Sequence, residues 1–292
     1  MMSRSETLAA LAKLGWWYQH FAFPNGVRTG DGQEPGYLPE TRWNLFKEFI
    51  PERLDGKSVL DVGGNAGYFS IQMKLRGAAR CVLVDPYREF IAQARFAAAQ
   101  FDVDLELVTE DVLTYCLTTE ERFDYVLFLG LFYHLRHPVI VLDRLAEMTR
   151  ERLVLASAVA GPPVEPAPPS PNHDRSEDQA LLEDPAHPKL VFIENRYYGD
   201  PTNWWLPNHA ALPALVRSAG MNVIARPHSH LLVAEPAEYF GKVVYDKLVL
   251  PRYGKRGEET RHPGPQNVDP GLWAELTQRA QEALRRQSEE SR

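Results

Sequence analysis

Hydrophobic and polar positions divide this chain into three unlike stretches. From about residue 58 to 158, short apolar runs alternate with segments whose apolar residues recur at helical spacing, the pattern of a parallel sheet buried between helices. Strands are predicted at 58–62, 79–84, 105–109, 123–129 and 152–158, with helices at 68–75, 88–100 and 137–148. Ahead of this region, Ser3-Arg4-Ser5-Glu6 has the spacing of a capping box, and Leu8, Leu11, Ala12 and Leu14 continue a helix that ends near Gly15. An aromatic run follows, Trp16-Trp17-Tyr18-Gln19-His20-Phe21-Ala22-Phe23, then a loop at 24–39. A helix at 41–50 carries Trp43, Phe46, Phe49 and Ile50 on one face. The aromatic run either packs on the core or walls a pocket.

Behind the alternating region the composition changes. Eight of the 23 prolines fall within 161–190, so this stretch is read as an inserted loop, either a flap or a disordered insertion. Order resumes in a helix at 208–219 ended by Gly220, strands at 222–225, 229–234 and 242–248, and a largely polar helix at 270–286 suited to the surface or to a contact between copies. The expected fold is α/β and doubly wound: a cap over 1–50, a main domain over 51–250, and a tail with a helix over 251–292.

Composition narrows the function. With 292 residues and 44% hydrophobic content the chain can bury a full core. No apolar run approaches the roughly 20 residues needed to span a bilayer, and the first residues lack a secretory signal, so a soluble cytoplasmic protein without membrane contact is expected. Cys81 and Cys116 stand alone, outside any metal or disulfide pattern. A net charge of −7 disfavours a polyanionic partner and favours a small molecule.

The chemistry concentrates in Val59-Leu60-Asp61-Val62-Gly63-Gly64-Asn65-Ala66-Gly67, an apolar strand that opens into a glycine-rich turn and then a helix. Glycine at 63 and 67 allows a sharp turn and close backbone approach to a ligand. Asp85 closes the second strand, where a carboxylate accepts hydrogen bonds from both hydroxyls of a ribose. Asp111 and Val112 follow the third strand, where a carboxylate can receive an adenine amine. The fourth strand ends in Leu129-Gly130-Leu131-Phe132-Tyr133-His134, on the edge where open sheets bind ligands. The loop lacks the G-x-G-x-x-G spacing of a dinucleotide site, and Asp61 would repel a pyrophosphate while being able to orient the loop or meet an ammonium. A cationic adenosine ligand fits better than NAD.

These motifs resemble the class I S-adenosylmethionine-dependent methyltransferases. Trp17-Tyr18, Asn65-Ala66-Gly67-Tyr68 and Leu131-Phe132-Tyr133-His134-Leu135-Arg136-His137-Pro138 are similar to the branch that modifies the wobble uridine of tRNA. The resemblance implies a Rossmann-like, mostly parallel seven-stranded sheet and S-adenosyl-L-methionine as cofactor, held by Asp61, Gly63, Asn65, Gly67, Asp85, Asp111 and Val112. Asn65 replaces a usual glycine, at a residue type that tolerates left-handed backbone. Trp43-Asn44-Leu45-Phe46 stands where the tRNA enzymes would carry a basic residue for their modified cofactor, so the ordinary cofactor is expected.

Tyr133 is expected to position the acceptor. His134 is read either as a general base for a hydroxyl or as a structural hydrogen bond between strand and helix. Trp17, Tyr18, Arg196 and Tyr197 are candidates for the acceptor pocket, with Arg196 pairing an acidic group. His228 and His230 share a strand face, without an obvious third metal ligand. The preferred expectation is methyl transfer to a small-molecule O or N acceptor, with a possible homo-oligomer. The alternatives are another reaction of the sulfonium such as intramolecular cyclisation, tRNA modification, or a non-catalytic nucleoside-binding module.

Overall fold

The structure, a computed structural model, describes residues 2–29, 38–161, 183–194, 196–197 and 199–237. The proline-rich stretch at 162–182, Asn195, Tyr198, the expected strand 242–248 and the expected helix 270–286 lie outside the described residues. The described residues belong to one compact unit, Met1–Phe240, and Gly241–Arg292 lies wholly outside them.

The first helix, α1 (Arg4–Leu14), begins with the expected capping box: Ser3 Oγ accepts from the Glu6 amide, and Glu6 returns a carboxylate to the Ser3 amide at 2.8 Å. Helix α2 (Pro39–Phe46) starts on a proline and passes into a short 3₁₀ turn. It buries Trp43 and Phe46, with Ile50 beyond it. The alternating region then gives β1 (Ser58–Val62), α3 (Tyr68–Leu75), β2 (Arg80–Val84), α4 (Arg88–Gln100), β3 (Glu106–Val108), α5 (Val112–Thr118), β4 (Phe123–Leu129), α6 (Pro138–Met148) and β5 (Thr149–Ala156). Further along come β6 (Leu190–Phe192), β7 (Trp205–Pro207), α7 (Ala211–Ser218), β8 (Met221–His228) and β9 (Leu231–Pro236).

Seven strands join in the order β3-β2-β1-β4-β5-β9-β8; the first five are parallel, and β9 runs antiparallel between β5 and β8. Both faces are buried, which is why the strands read as continuous apolar runs. Leu60, Val62, Val126, Phe128, Leu153 and Leu155 pack against α5, α6 and α7, while Val59, Leu127 and Val154 pack against α2 and α3. Strand order reverses between β1 and β4, and an open sheet binds its ligand at such a reversal, beyond the carboxyl ends of the strands.

Two parts of this unit escape the periodicity. Apart from Leu113 and Leu117, helix α5 (VLTYCLT) is made of weak helix formers. It forms because Asp111 caps it, accepting from the Thr114 amide at 3.1 Å, and because Val112, Tyr115 and Cys116 are buried. The β6–β7 hairpin is a separate two-stranded piece whose apolar residues Leu190, Val191 and Phe192 are exposed. Both cysteines are buried and unpaired, and burial pushes each thiol up to about 12.

Candidate functional site

The turn after β1 is held from every side. Gly63, Asn65 and Gly67 all adopt left-handed backbone, with φ of 66°, 53° and 84°. Such values cost little for glycine and are tolerated by asparagine. The Gly63 amide donates to the Val84 carbonyl at 2.8 Å, which ties the turn to β2. Gly64 has no room for a side chain, since a Cβ there would stand 2.6 Å from the buried Leu83.

Asp85 sits at the end of β2 and is 4% exposed. One carboxylate oxygen accepts from the Asn65 amide and the other from the Tyr87 amide, each at 3.0 Å. Each oxygen keeps acceptor capacity for a further donor, so the carboxylate is fixed in direction and able to receive a vicinal diol. Burial raises its pKa, and the two amides pull it back. Asp111 caps α5 and remains exposed at the end of β3, with Val112 buried behind it. Asp61 lies beneath the turn, 1% exposed, and accepts from Ser70 Oγ at 2.7 Å. Burial pushes its carboxyl up to about 7. Its bond to Ser70 ties the end of β1 to α3.

The cap is fastened onto this turn by Gln19 and onto α4 by Gln93. Gln19, 4% exposed, donates to the Gly64 carbonyl at 3.3 Å and accepts from the Tyr68 amide at 3.0 Å. Gln93 donates to the carbonyls of Leu14 and Trp16 at 3.1 and 2.8 Å. Trp17 is 1% exposed and packs among Phe21, Phe23 and Phe96 as the core of the cap. Its neighbour Tyr18 is exposed and acts electrostatically on Tyr133. The aromatic run therefore packs on the core through Trp17, the first of the two roles open to it, while Tyr18 stays at the surface.

Beyond β4, Gly130 bonds the end of β5 through the Ala156 carbonyl at 2.8 Å. A Cβ on Gly130 would stand 3.0 Å from Arg42 Nη1 and 3.9 Å from the Tyr133 hydroxyl, so α2 places a guanidinium and the turn after β4 a phenol over the same glycine. Burial raises the Tyr133 pKa. His134 Nδ1 is 2.8 Å from Thr202 Oγ1 and 3.9 Å from Asp200, and burial lowers its pKa against the opposing pull of Asp200. With Trp204 donating its amide to the Tyr133 carbonyl at 2.8 Å, His134 ties the 200–204 segment to the end of β4. Tyr197 belongs to the adjoining turn, pairing backbone with Asp200, and Arg196 beside it is exposed.

Sequence reasoning missed Gln19, Arg42, His209 and the part played by His230. Gln19 and Arg42 come from the cap and α2, and nothing in their local sequence marks them. His209 is 5% exposed, between β7 and α7. The His230 carbonyl accepts from the Ser157 amide at 3.0 Å, which brings the β8–β9 turn beside the end of β5.

Residues 38–226 match the family described as Methyltransferase domain. The chain is 34% identical over 179 residues to the tRNA U34 carboxymethyltransferase of Shewanella sp. (strain W3-18-1), covering 59% of this chain and 45% of that protein. It is 28% identical over 189 residues to the protein of that name from Colwellia psychrerythraea (strain 34H), covering 62% of this chain and 49% of that protein. The chain thus spans about half the length of the curated relatives it matches. Among solved structures, the N-terminal domain of EvdMO1 with SAH bound shares the fold at a TM-score of 0.55 and 20% identity, over 81% of this chain and 98% of that one. The likeness to methyltransferases, and to the branch acting on tRNA, is what the sequence motifs imply.

Proposed function

This chain belongs to the Methyltransferase domain family, whose cofactor is S-adenosylmethionine, and on that premise we propose that it transfers the methyl group to a hydroxyl or amine of a small molecule. The observation that carries the reading is the bond between the turn and the strand-end carboxylate. Asn65 donates to Asp85 at 3.0 Å across two adjacent strands, so the glycine turn and the ribose-type acceptor form one fixed unit. The residues fit the cofactor: the turn at 63–67 for its amino-acid portion, Asp85 for the ribose, Asp111 and Val112 for the adenine. When bound, S-adenosylmethionine supplies an activated methyl group for in-line displacement.

The residues over Gly130 would manage the acceptor. Tyr133 can orient its nucleophile by a hydrogen bond, and Arg42 supplies a cation at the same place. Holding nucleophile, methyl carbon and sulfur in line and excluding water would supply most of the acceleration. No described helix is long and apolar enough to cross a membrane.

Calorimetry with S-adenosylmethionine and NAD tests the donor assignment: saturable binding of the first and none of the second is expected, and tight NAD binding alone would overturn it. Label transfer from methyl-labelled cofactor to small hydroxyl and amine compounds tests the acceptor. A second reading, tRNA modification, is favoured by the printed names of the relatives. It is also favoured by a stacking surface near the site, where the exposed Arg136 lies 4.8 Å over Trp204 and 5.6 Å over Phe192. Against it stands the net charge of −7. Label appearing in tRNA, with binding that weakens steeply as salt rises, would select the second reading.

A further inference from the structure

Three histidines outside the motifs gather at the acceptor end of the sheet. His228 and His230 flank the β8–β9 turn with ring centroids 4.1 Å apart. The turn is fixed beside β5 by the bond from the Ser157 amide to the His230 carbonyl, and β5 is fixed beside β4 by the bond from the Gly130 amide to the Ala156 carbonyl. Arg226 Nη2 donates to the carbonyls of both His209 and Ser229, each at 2.9 Å, and so ties the third histidine to the same turn. His209 is 5% exposed, and its Nδ1 is enclosed with no hydrogen-bond partner among the described residues. Buried imidazole nitrogen without a partner costs free energy unless a ligand or water completes it.

The charges are of one sign. Burial first, and then His228, Arg42 and His209, push His230 down to about 4. The groups acting on it are thus all cationic or able to become so. They do not form a metal site, since no group of three His, Cys, Asp or Glu among the described residues has that geometry. An anionic oxygen group is what such a cluster recognises: Arg42 gives it a charge-assisted bond, the neutral imidazoles offer N–H donors, and its negative charge offsets the cationic field around His230.

We infer that His209, His228 and His230, together with Arg42, form an anion-binding subsite for the methyl acceptor, which is therefore a small molecule carrying a carboxylate or phosphate. The inference rests on the methyltransferase reading and deepens it. Arg42 reaches over Gly130 beside Tyr133, so an acceptor anchored by its anion among the imidazoles would present its nucleophile toward the phenol.

The test is an NMR titration of the histidine ring signals with inorganic phosphate and, separately, benzoate, with and without saturating S-adenosylhomocysteine. Saturable shifts at His209, His228 and His230, absent at His134 and His137 and persisting with S-adenosylhomocysteine, are expected. A preference between the two anions distinguishes phosphate from carboxylate acceptors. The variant His228→Gln, at an exposed position, should weaken the anion by roughly tenfold or more, the scale of one hydrogen bond to a charged group, and leave S-adenosylhomocysteine affinity unchanged. Equal shifts at all histidines, no saturation, or loss of the effect when S-adenosylhomocysteine is present would overturn the proposal, the last by giving the subsite to the cofactor. Failure of S-adenosylhomocysteine to bind would instead strike the methyltransferase reading and leave the anion result to stand or fall separately.

Discussion

The two halves of the candidate site are made of different material. The donor half, around the 63–67 turn and Asp85, is built from backbone: left-handed residues, amide-to-carboxylate bonds, and a glycine that leaves no space above Leu83. The acceptor half, around Gly130, is built from side chains that α2, the turn after β4, the start of α7 and the β8–β9 turn contribute separately. Backbone geometry is preformed and changes little, whereas side chains can be exchanged without disturbing the sheet. One half therefore suits a constant cofactor and the other a particular acceptor. The halves also carry opposite electrostatics, a buried carboxyl raised to about 7 at Asp61 and an imidazole depressed to about 4 at His230.

That contrast predicts opposite responses to pH. With Asp61, folded and unfolded states are both protonated at low pH. As pH rises, the unfolded chain ionises first, so stability is lost up to the folded value of about 7, by on the order of 4 kcal/mol at most. Asp61→Asn should flatten this decline in denaturant melts. With His230 the sign reverses: stability is present above its ordinary range and is lost as pH falls toward about 4, a loss that His230→Gln should remove. Identical pH profiles for wild type and both variants would erase the contrast.

The next effect concerns the donor alone. Asp85→Ala should weaken S-adenosylmethionine by about 10- to 100-fold in calorimetry, the value of hydrogen bonds to a charged acceptor, and unchanged affinity would detach this carboxylate from the ribose. Gly64→Ala forces a Cβ against Leu83 and should lower stability by about 1–3 kcal/mol by overpacking. A neutral melt would show that the turn is softer than the geometry implies. Smallest is His134→Ala, which breaks the tie to Thr202 at a cost of about 1 kcal/mol. A base at this position predicts lost turnover with unchanged stability; a tether predicts the stability loss, with slower turnover following from a loosened 200–204 segment.

The same difference in material explains what the sequence reveals. Val59 to Gly67 is a contiguous strand, turn and helix start, so its apolar run and glycine spacing are readable locally, and Asp85 and Asp111 follow from strand ends. Asn65 at a φ of 53° agrees with the tolerance expected of asparagine. Arg42, Gln19 and His209 have no such local mark, because what places them is the packing of α2, the cap and the segment before α7 on the sheet. Trp17 and Tyr18 show the limit plainly: adjacent and alike in sequence, one is core and the other is exposed. Helix α5 was hidden by its shortness and by the poor helix propensity of five of its seven residues, and exists through a cap and burial, neither of which periodicity registers.

A crystal structure with S-adenosylhomocysteine bound decides whether a backbone-made donor pocket faces a side-chain-made acceptor pocket across Gly130. The ribose hydroxyls should lie on Asp85, with the sulfur directed toward the space shared by Arg42 and Tyr133. A nucleoside lying elsewhere, or a sulfur facing away from Gly130, would contradict it.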